Sequence, residues 1–172
     1  MIEVIFSGRG GQGVVTAAEV AARAAWRAGW QAQAFPFFGP ERLGGQVLSF
    51  LRLDKKPITL RQNITAADWL LAFNEQPANN NDWPLQPRCR LIINRTNQTT
   101  KNKNVLYAPV PPEFQTVGNM FLLGVLGRAS GLFALNDLRA AGRDYFAKSE
   151  VARHALNNRA AAAGYNFSKP KP

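Results

Sequence analysis

An apolar run that breaks into glycines and then into a long alanine-rich stretch leaves few folds open to a chain. Ile2-Glu3-Val4-Ile5-Phe6 has the character of a buried strand, and Ser7-Gly8-Arg9-Gly10-Gly11-Gln12-Gly13 ends it in a tight turn. From Val14 to Ala28 neither proline nor glycine interrupts the chain, so the turn opens a helix that stops at Gly29. Glycines allow positive φ and let the backbone come close to a ligand, while the first helical turn offers unpaired N–H groups and a partial positive charge. That combination suits a phosphate or another anion. The same turn can also serve only to pack helix against strand.

Gly8, Gly10 and Gly13 fit the G-x-G-x-x-G spacing of a dinucleotide site. Such sites place an acid roughly 20 residues further on to hold the ribose. Here the second strand, Trp30 to Phe35, carries Gln31, Gln33 and Ala34 but no carboxylate, which argues against NAD and FAD. The turn also lacks the Gly-Lys-Ser/Thr ending of a nucleoside triphosphate loop.

Further along, Pro36-Phe37-Phe38-Gly39-Pro40-Glu41-Arg42-Leu43-Gly44-Gly45-Gln46 is a loop by its prolines and glycines, with apolar bulk beside an adjacent acid and base. In open α/β sheets ligands sit outside the carboxyl ends of the strands, where both this loop and the glycine turn fall. Val47 to Leu53 alternates as a strand, with Val47, Ser49, Leu51 and Leu53 on one face and Leu48, Phe50 and Arg52 on the other. A short helix is expected around Thr65 to Asp68. Trp69 to Phe73, apolar on both faces, is expected to be a central parallel strand, followed by strands at Leu91 to Ile93 and Val105 to Tyr107. The asparagine-rich connection around Asn79 is expected to be a loop. From Asn119 the chain turns helical: Met120 to Ala129, Leu135 to Lys148, and a last helix capped by Ser149 that runs towards Gly164.

The 172 residues suit a single domain over 1–167, and the tail 168–172, Ser-Lys-Pro-Lys-Pro, is expected to lack fixed structure. The fold class expected is α/β: a doubly wound, Rossmann-like, mostly parallel sheet with helices on both faces and a helical C-terminal region. Nothing at the N-terminus resembles a signal peptide and no apolar stretch approaches a membrane span, so a cytoplasmic location is expected, with no membrane partner. The net charge of +10 invites nucleic acid, but the cations are scattered, and Lys55-Lys56 is the only tight basic pair. No nucleic-acid partner is therefore expected. One cysteine, Cys89, excludes an internal disulfide and an iron–sulfur cluster held by this chain alone. The single His154 has no catalytic or metal-ligating partner at useful spacing, so no catalytic or metal residue is assigned.

Three motifs in order, Gly8-Arg9-Gly10-Gly11-Gln12-Gly13-Val14-Val15-Thr16-Ala17-Ala18-Glu19, Phe35-Pro36-Phe37-Phe38-Gly39-Pro40-Glu41-Arg42 and Asn119-Met120-Phe121-Leu122-Leu123-Gly124, closely resemble the gamma subunit of the 2-oxoacid:ferredoxin oxidoreductases. Asn157 and Gly164-Tyr165 extend the resemblance to the last helix. It implies a non-autonomous subunit of an oxidoreductase that decarboxylates a 2-oxoacid on thiamine diphosphate, passes electrons through iron–sulfur clusters to ferredoxin and transfers the acyl group to coenzyme A. The branches of that family use pyruvate, branched-chain 2-oxoacids, 2-oxoglutarate or indolepyruvate.

By the same resemblance the partners are alpha, beta and ferredoxin-like delta subunits, which hold the thiamine diphosphate and the clusters. The gamma chain would cover the active site and help bind coenzyme A. Gly8, Gly10, Gly11, Gln12 and Gly13 would contact phosphate through the backbone, and Arg9 would pair with it. Phe37, Gly39, Pro40, Glu41, Arg42 and Asn119 would make substrate or subunit contacts. Leu43-Gly44-Gly45-Gln46 departs from the family, which often has a second arginine there. The competing reading is a standalone anion- or nucleotide-binding protein diverged from the family.

Overall fold

A computed structural model of the chain describes residues 1–37, 46–74, 85–97, 102–147 and 151–167. Six strands form one sheet in the order β2-β3-β1-β4-β5-β6. They are β1 (Ile2–Arg9), β2 (Gln31–Phe37), β3 (Gln46–Asp54), β4 (Ala67–Ala72), β5 (Leu85–Ile93) and β6 (Val105–Tyr107). β1, β4, β5 and β6 run parallel, whereas β3 is antiparallel to both of its neighbours, β1 and β2. The helices are α1 (Val14–Arg27), α2 (Gly118–Ser130), α3 (Leu135–Tyr145) and α4 (Val151–Tyr165), and a 3-10 turn over Pro112–Val117 leads into α2. The mostly parallel α/β sheet and the helical C-terminal region are as expected.

Side-chain alternation along β1 assigns the two faces of the sheet. Val4 and Phe6 enter a large core cluster with Leu51, Leu53 and buried residues from all four helices. Ile5 points the other way, into a smaller cluster with Leu48, Phe50, Ile64, Ala67, Leu70 and Cys89. Among the described residues that second cluster contains no helix. Helices on both faces were expected; among the described residues all four pack on the first face, and the segment 55–66 crosses the second and contributes Ile64.

The anchor for that segment is Arg52, 1% exposed. Its Nε donates to Glu3 Oε1 (2.8 Å), across the β1–β3 register, its Nη1 to Gln33 Oε1 (3.2 Å) and Leu60 O (3.5 Å), and its Nη2 to Gln62 O (3.2 Å). The guanidinium also lies 5.6 Å from the centre of the Phe35 ring. A buried cation is tolerated only when paired and hydrogen-bonded, and here every nitrogen finds an acceptor. Burial pushes the Cys89 thiol on the same face up to about 12, with Asp68 adding to it, so the thiol stays protonated and inert near neutral pH.

Two local expectations change. No helix forms at Thr65 to Asp68, because Ala67 already pairs in β4 and the Asp68 carboxylate accepts the Glu3 N–H at 2.8 Å. β5 begins six residues before the expected Leu91. Gln86, Pro87 and Arg88 are exposed in it, and a register shift against β4 absorbs them. β6 pairs only with Leu91 to Ile93, so the missing N–H of Pro87 breaks no bond on that side. The loop at 38–45, the connection around Asn79, Ser149 and the tail 168–172 lie outside the described residues.

On the helical face, α2 and α4 approach to backbone contact. A Cβ built on Gly124 would stand 2.2 Å from Ala161 O, and one on Gly164 would stand 1.9 Å from Phe121 O. This crossing fixes where the first turns of both helices end up. α3 is tied to α1 by the Arg27–Asp144 ion pair and by Tyr145. Burial, and then its hydrogen bond to Glu19, hold the Tyr145 hydroxyl above its ordinary pKa. No helix among the described residues is long and apolar enough to cross a membrane.

Candidate functional site

β1 does not stop at Phe6. It continues through Ser7 and Gly8 to Arg9, which pairs with Gln46. Gly8 is thus a buried strand residue, and a Cβ there would stand 2.7 Å from both Gln12 Oε1 and Val14 Cγ2 and 2.9 Å from Phe73 Cβ. Its lack of a side chain lets the turn fold back over the strand end, and it does not line the open cleft.

The turn itself spans Gly10 to Gly13. Gln12 braces it from within: its Oε1 accepts the Arg9 N–H (2.7 Å), its Nε2 donates to Phe73 O (3.4 Å) and its own N–H donates to Arg9 O (3.2 Å). Its side-chain amide and its backbone N–H are thereby engaged within the turn. Gly11 and Gly13 sit at φ +87° and +75°, the left-handed region where a Cβ is strained. Gly13 caps α1 without a side-chain hydrogen bond, and no acid lies in the first turn. The N–H groups of Val14, Val15 and Thr16 precede the first intrahelical donor, Ala17, and have no protein acceptor among the described residues.

A cleft of about 520 Å³ opens over this turn, within the roughly 300–1,000 Å³ of ordinary small-molecule sites. Arg9, Gly10, Gly11, Gln12 and Gly13 form one side of it with the start of α1, and Val47 of β3 flanks them. Thr116, Val117 and Asn119, from the approach to α2, form a second side. Asn119 Oδ1 accepts the Met120 N–H (2.9 Å), and its Nδ2 would stand 2.7 Å from a Cβ on Gly13, so α2 begins against the turn itself. The third side is Phe146, after α3, with Arg153 and Asn157 of α4. Among the described residues lining the cleft, the charged ones are Arg9 and Arg153, and no carboxylate is among them. Such a surface is rich in donors, and it favours an anion.

Of the residues expected to act together, the structure therefore gathers Arg9, Gly10, Gly11, Gln12, Gly13 and Asn119 around one cleft. Phe37 ends β2, 38% exposed, with its ring 5.8 Å from that of Phe50, and does not line the cleft. Gly39, Pro40, Glu41 and Arg42 lie outside the described residues, although Gln46, which resumes the chain after them, pairs with Arg9 at the mouth of the cleft. Arg153 and Asn157 were missed as site residues. Their signal was present: Asn157 shares a helix face with the buried Ala160, Ala161 and Gly164, and a polar residue on an apolar stripe calls for a reason.

No group of three or more His, Cys, Asp or Glu side chains comes together among the described residues. The fold is shared with solved proteins. The pyruvate oxidoreductase subunit PORC of Thermotoga maritima superposes with a TM-score of 0.79 at 22% identity, covering 95% of this chain and 94% of that one. A 2-oxoglutarate:ferredoxin oxidoreductase from Magnetococcus marinus superposes at 0.73 and 24% identity, over 99% of this chain and 32% of that one. At these identities the likeness speaks for the fold alone. In sequence, the pyruvate synthase subunit PorC of Methanothermobacter thermautotrophicus is 49% identical over 75 residues, 44% of this chain and 42% of that protein. The common gamma subunit of the pyruvate/ketoisovalerate oxidoreductases of Pyrococcus abyssi is 34% identical over 161 residues, 85% of this chain and 87% of that protein. The model of the pyruvate ferredoxin/flavodoxin oxidoreductase family matches residues 3–167, and this chain belongs to that family.

Proposed function

We propose that the chain works as the gamma subunit of a 2-oxoacid:ferredoxin oxidoreductase, covering the active site and helping to hold coenzyme A during the oxidative decarboxylation of a 2-oxoacid such as pyruvate or 2-ketoisovalerate. The observation that carries this reading is the donor-lined cleft over the glycine turn. Coenzyme A presents a diphosphate and a 3′-phosphate, which are acceptors only. The N–H groups at the start of α1 and the Arg9 guanidinium suit them in charge and hydrogen-bonding sense. Once bound, coenzyme A supplies the thiol that takes up the acyl group. The 2-oxoglutarate:ferredoxin oxidoreductase of Magnetococcus marinus that shares this fold was solved with coenzyme A bound.

Thiamine diphosphate and the iron–sulfur clusters are assigned to the alpha, beta and delta subunits, in keeping with a single, buried cysteine here. Ferredoxin accepts the electrons of the complex, and a cytoplasmic location is part of the proposal. In this proposal Phe37, Gly39, Pro40, Glu41, Arg42 and Asn119 make the substrate or subunit contacts. The chain's own work is to bind, orient and exclude water.

The purified chain assayed with several 2-oxoacids, coenzyme A and a viologen acceptor is expected to show no turnover, and the native chain is expected to copurify with larger, cluster-bearing subunits. Sustained turnover by the chain alone would sink the proposal. Recovery as a solitary protein that binds a nucleotide unaided would favour the standalone reading instead.

Gly10 gives the cleanest probe of ligand approach. It lies outside the left-handed region, and a Cβ there meets nothing within 4 Å. Gly10→Ala should hold its stability within about 0.5 kcal/mol while raising the apparent Kd for coenzyme A about tenfold, a loss of roughly 1.4 kcal/mol. Gly11→Val is less informative, because its φ of +87° adds strain of about 1–3 kcal/mol to any effect on binding. Unchanged affinity in Gly10→Ala would mean that the turn packs and does not bind.

A further inference from the structure

Asn157 is 4% exposed, and its amide nitrogen has no hydrogen-bond partner among the described residues. Buried polar atoms are almost always paired, and a leucine of similar size would avoid the cost of leaving one unpaired. A stability argument therefore does not account for the residue. Its position suggests what does: it lines the cleft beside the glycine turn, and Arg153, one helical turn earlier on the same face of α4, lines it too. The N-terminus of α1, which no side chain caps, and Arg9 line the same cleft.

We propose that Arg153 and Asn157 form, with the N-terminus of α1, a clasp for a diphosphate group, so that α4 is a ligand-binding element and not only a packing helix. This rests on the reading of the cleft as a coenzyme A site and deepens it by assigning which part of the ligand is held and by what. Two guanidinium groups and a helix N-terminus, with no carboxylate among the described lining residues, match the two negative charges of a diphosphate diester. Because no partner among the described residues holds the Asn157 amide nitrogen, a half turn of the amide carries it to the cleft without breaking a bond it makes to them. The bound diphosphate then supplies an acceptor for that nitrogen.

The test is a titration of the full 172-residue chain with inorganic pyrophosphate, and separately with coenzyme A, followed by ¹⁵N NMR. The backbone amides of Gly10 to Thr16 and the side-chain amide of Asn157 are expected to shift together, and pyrophosphate should compete with coenzyme A. Asn157→Leu should weaken pyrophosphate about tenfold or more, as loss of a hydrogen bond to a charged group does, while the melting temperature stays level or rises. Arg153→Gln should weaken it with a smaller dependence on salt. If the turn amides shift but Asn157 does not, and Asn157→Leu binds as the parent does, the clasp is wrong while the coenzyme A reading stands. A fall in melting temperature for Asn157→Leu with intact binding would likewise overturn it, by making the residue structural. If neither probe moves the turn amides, the coenzyme A reading falls and the clasp with it.

Discussion

Gly164→Ala is expected to lower the melting temperature by about 10 °C, although alanine in a helix normally stabilises by up to about 1 kcal/mol. The added Cβ would stand 1.9 Å from Phe121 O and 2.8 Å from its carbonyl carbon. Both atoms are backbone, so no side chain can swing aside, and α4 has to lift off α2. Forcing one methyl into a packed contact costs typically 1–3 kcal/mol, and a backbone clash of this depth belongs at about 3 kcal/mol. In a chain of this size each kcal/mol shifts the midpoint by roughly 2–4 °C. Gly124→Ala meets Ala161 O at 2.2 Å in the same crossing. The double variant should therefore lose less than the two single losses added, because the helices separate only once. Thermal melts followed by circular dichroism decide the matter. An unchanged or raised midpoint for Gly164→Ala would show that the two helices are not in backbone contact. Separation also moves Asn157 and Arg153 away from the turn, so the surviving folded protein should bind coenzyme A more weakly.

Arg52→Met is expected to cost about 3–5 kcal/mol, the loss found when one partner of a buried ion pair is removed. The Glu3 carboxylate, the Gln33 side chain and the carbonyls of Leu60 and Gln62 would all lose their donor. Arg52→Lys should recover little, since one ammonium cannot reproduce a planar fork that reaches acceptors on β1, β2 and the segment 55–66. Adding Glu3→Leu to Arg52→Met should restore part of the loss by removing the stranded charge, and the cycle should show coupling of at least about 1 kcal/mol. The restoration stays partial because the two carbonyls remain unmet. Urea midpoints measure all of this, and an Arg52→Met midpoint equal to that of the parent would mean the second face of the sheet holds without the network.

The elements that could be read from the chain are those whose periodicity is enforced locally. β1, β3 and β4 alternate or run apolar because both faces of the sheet are covered, and α1 and α2 end beside Gly29 and Gly131 as their sequence implies. β5 was legible only at Leu91 to Ile93, the part that β6 also pairs, since its first half is exposed and carries a proline. The contrast at residues 64–68 has the same origin. Local propensity favours a helical turn there, but Ile64 and Ala67 are drawn into the second-face cluster and the chain extends. Glycine spacing likewise announced a turn without saying how each residue is held: Gly8 packs at the strand end, and the Gln12 side chain bonds within the turn.

Taken alone, the sequence determined the strand, glycine turn and helix of the first unit, the mostly parallel sheet, and a resemblance to the gamma subunit that the matched family bears out, because each is written in neighbouring residues. Only the tertiary structure decided what stands around the turn. Arg153 and Asn157 lie more than a hundred residues from Gly10, and they reach its cleft because two glycines let α4 press against α2, whose first turn rests on Gly13. A contact between distant segments depends on how closely the intervening backbones can approach, and that distance is a property of the packed whole, which no local pattern encodes.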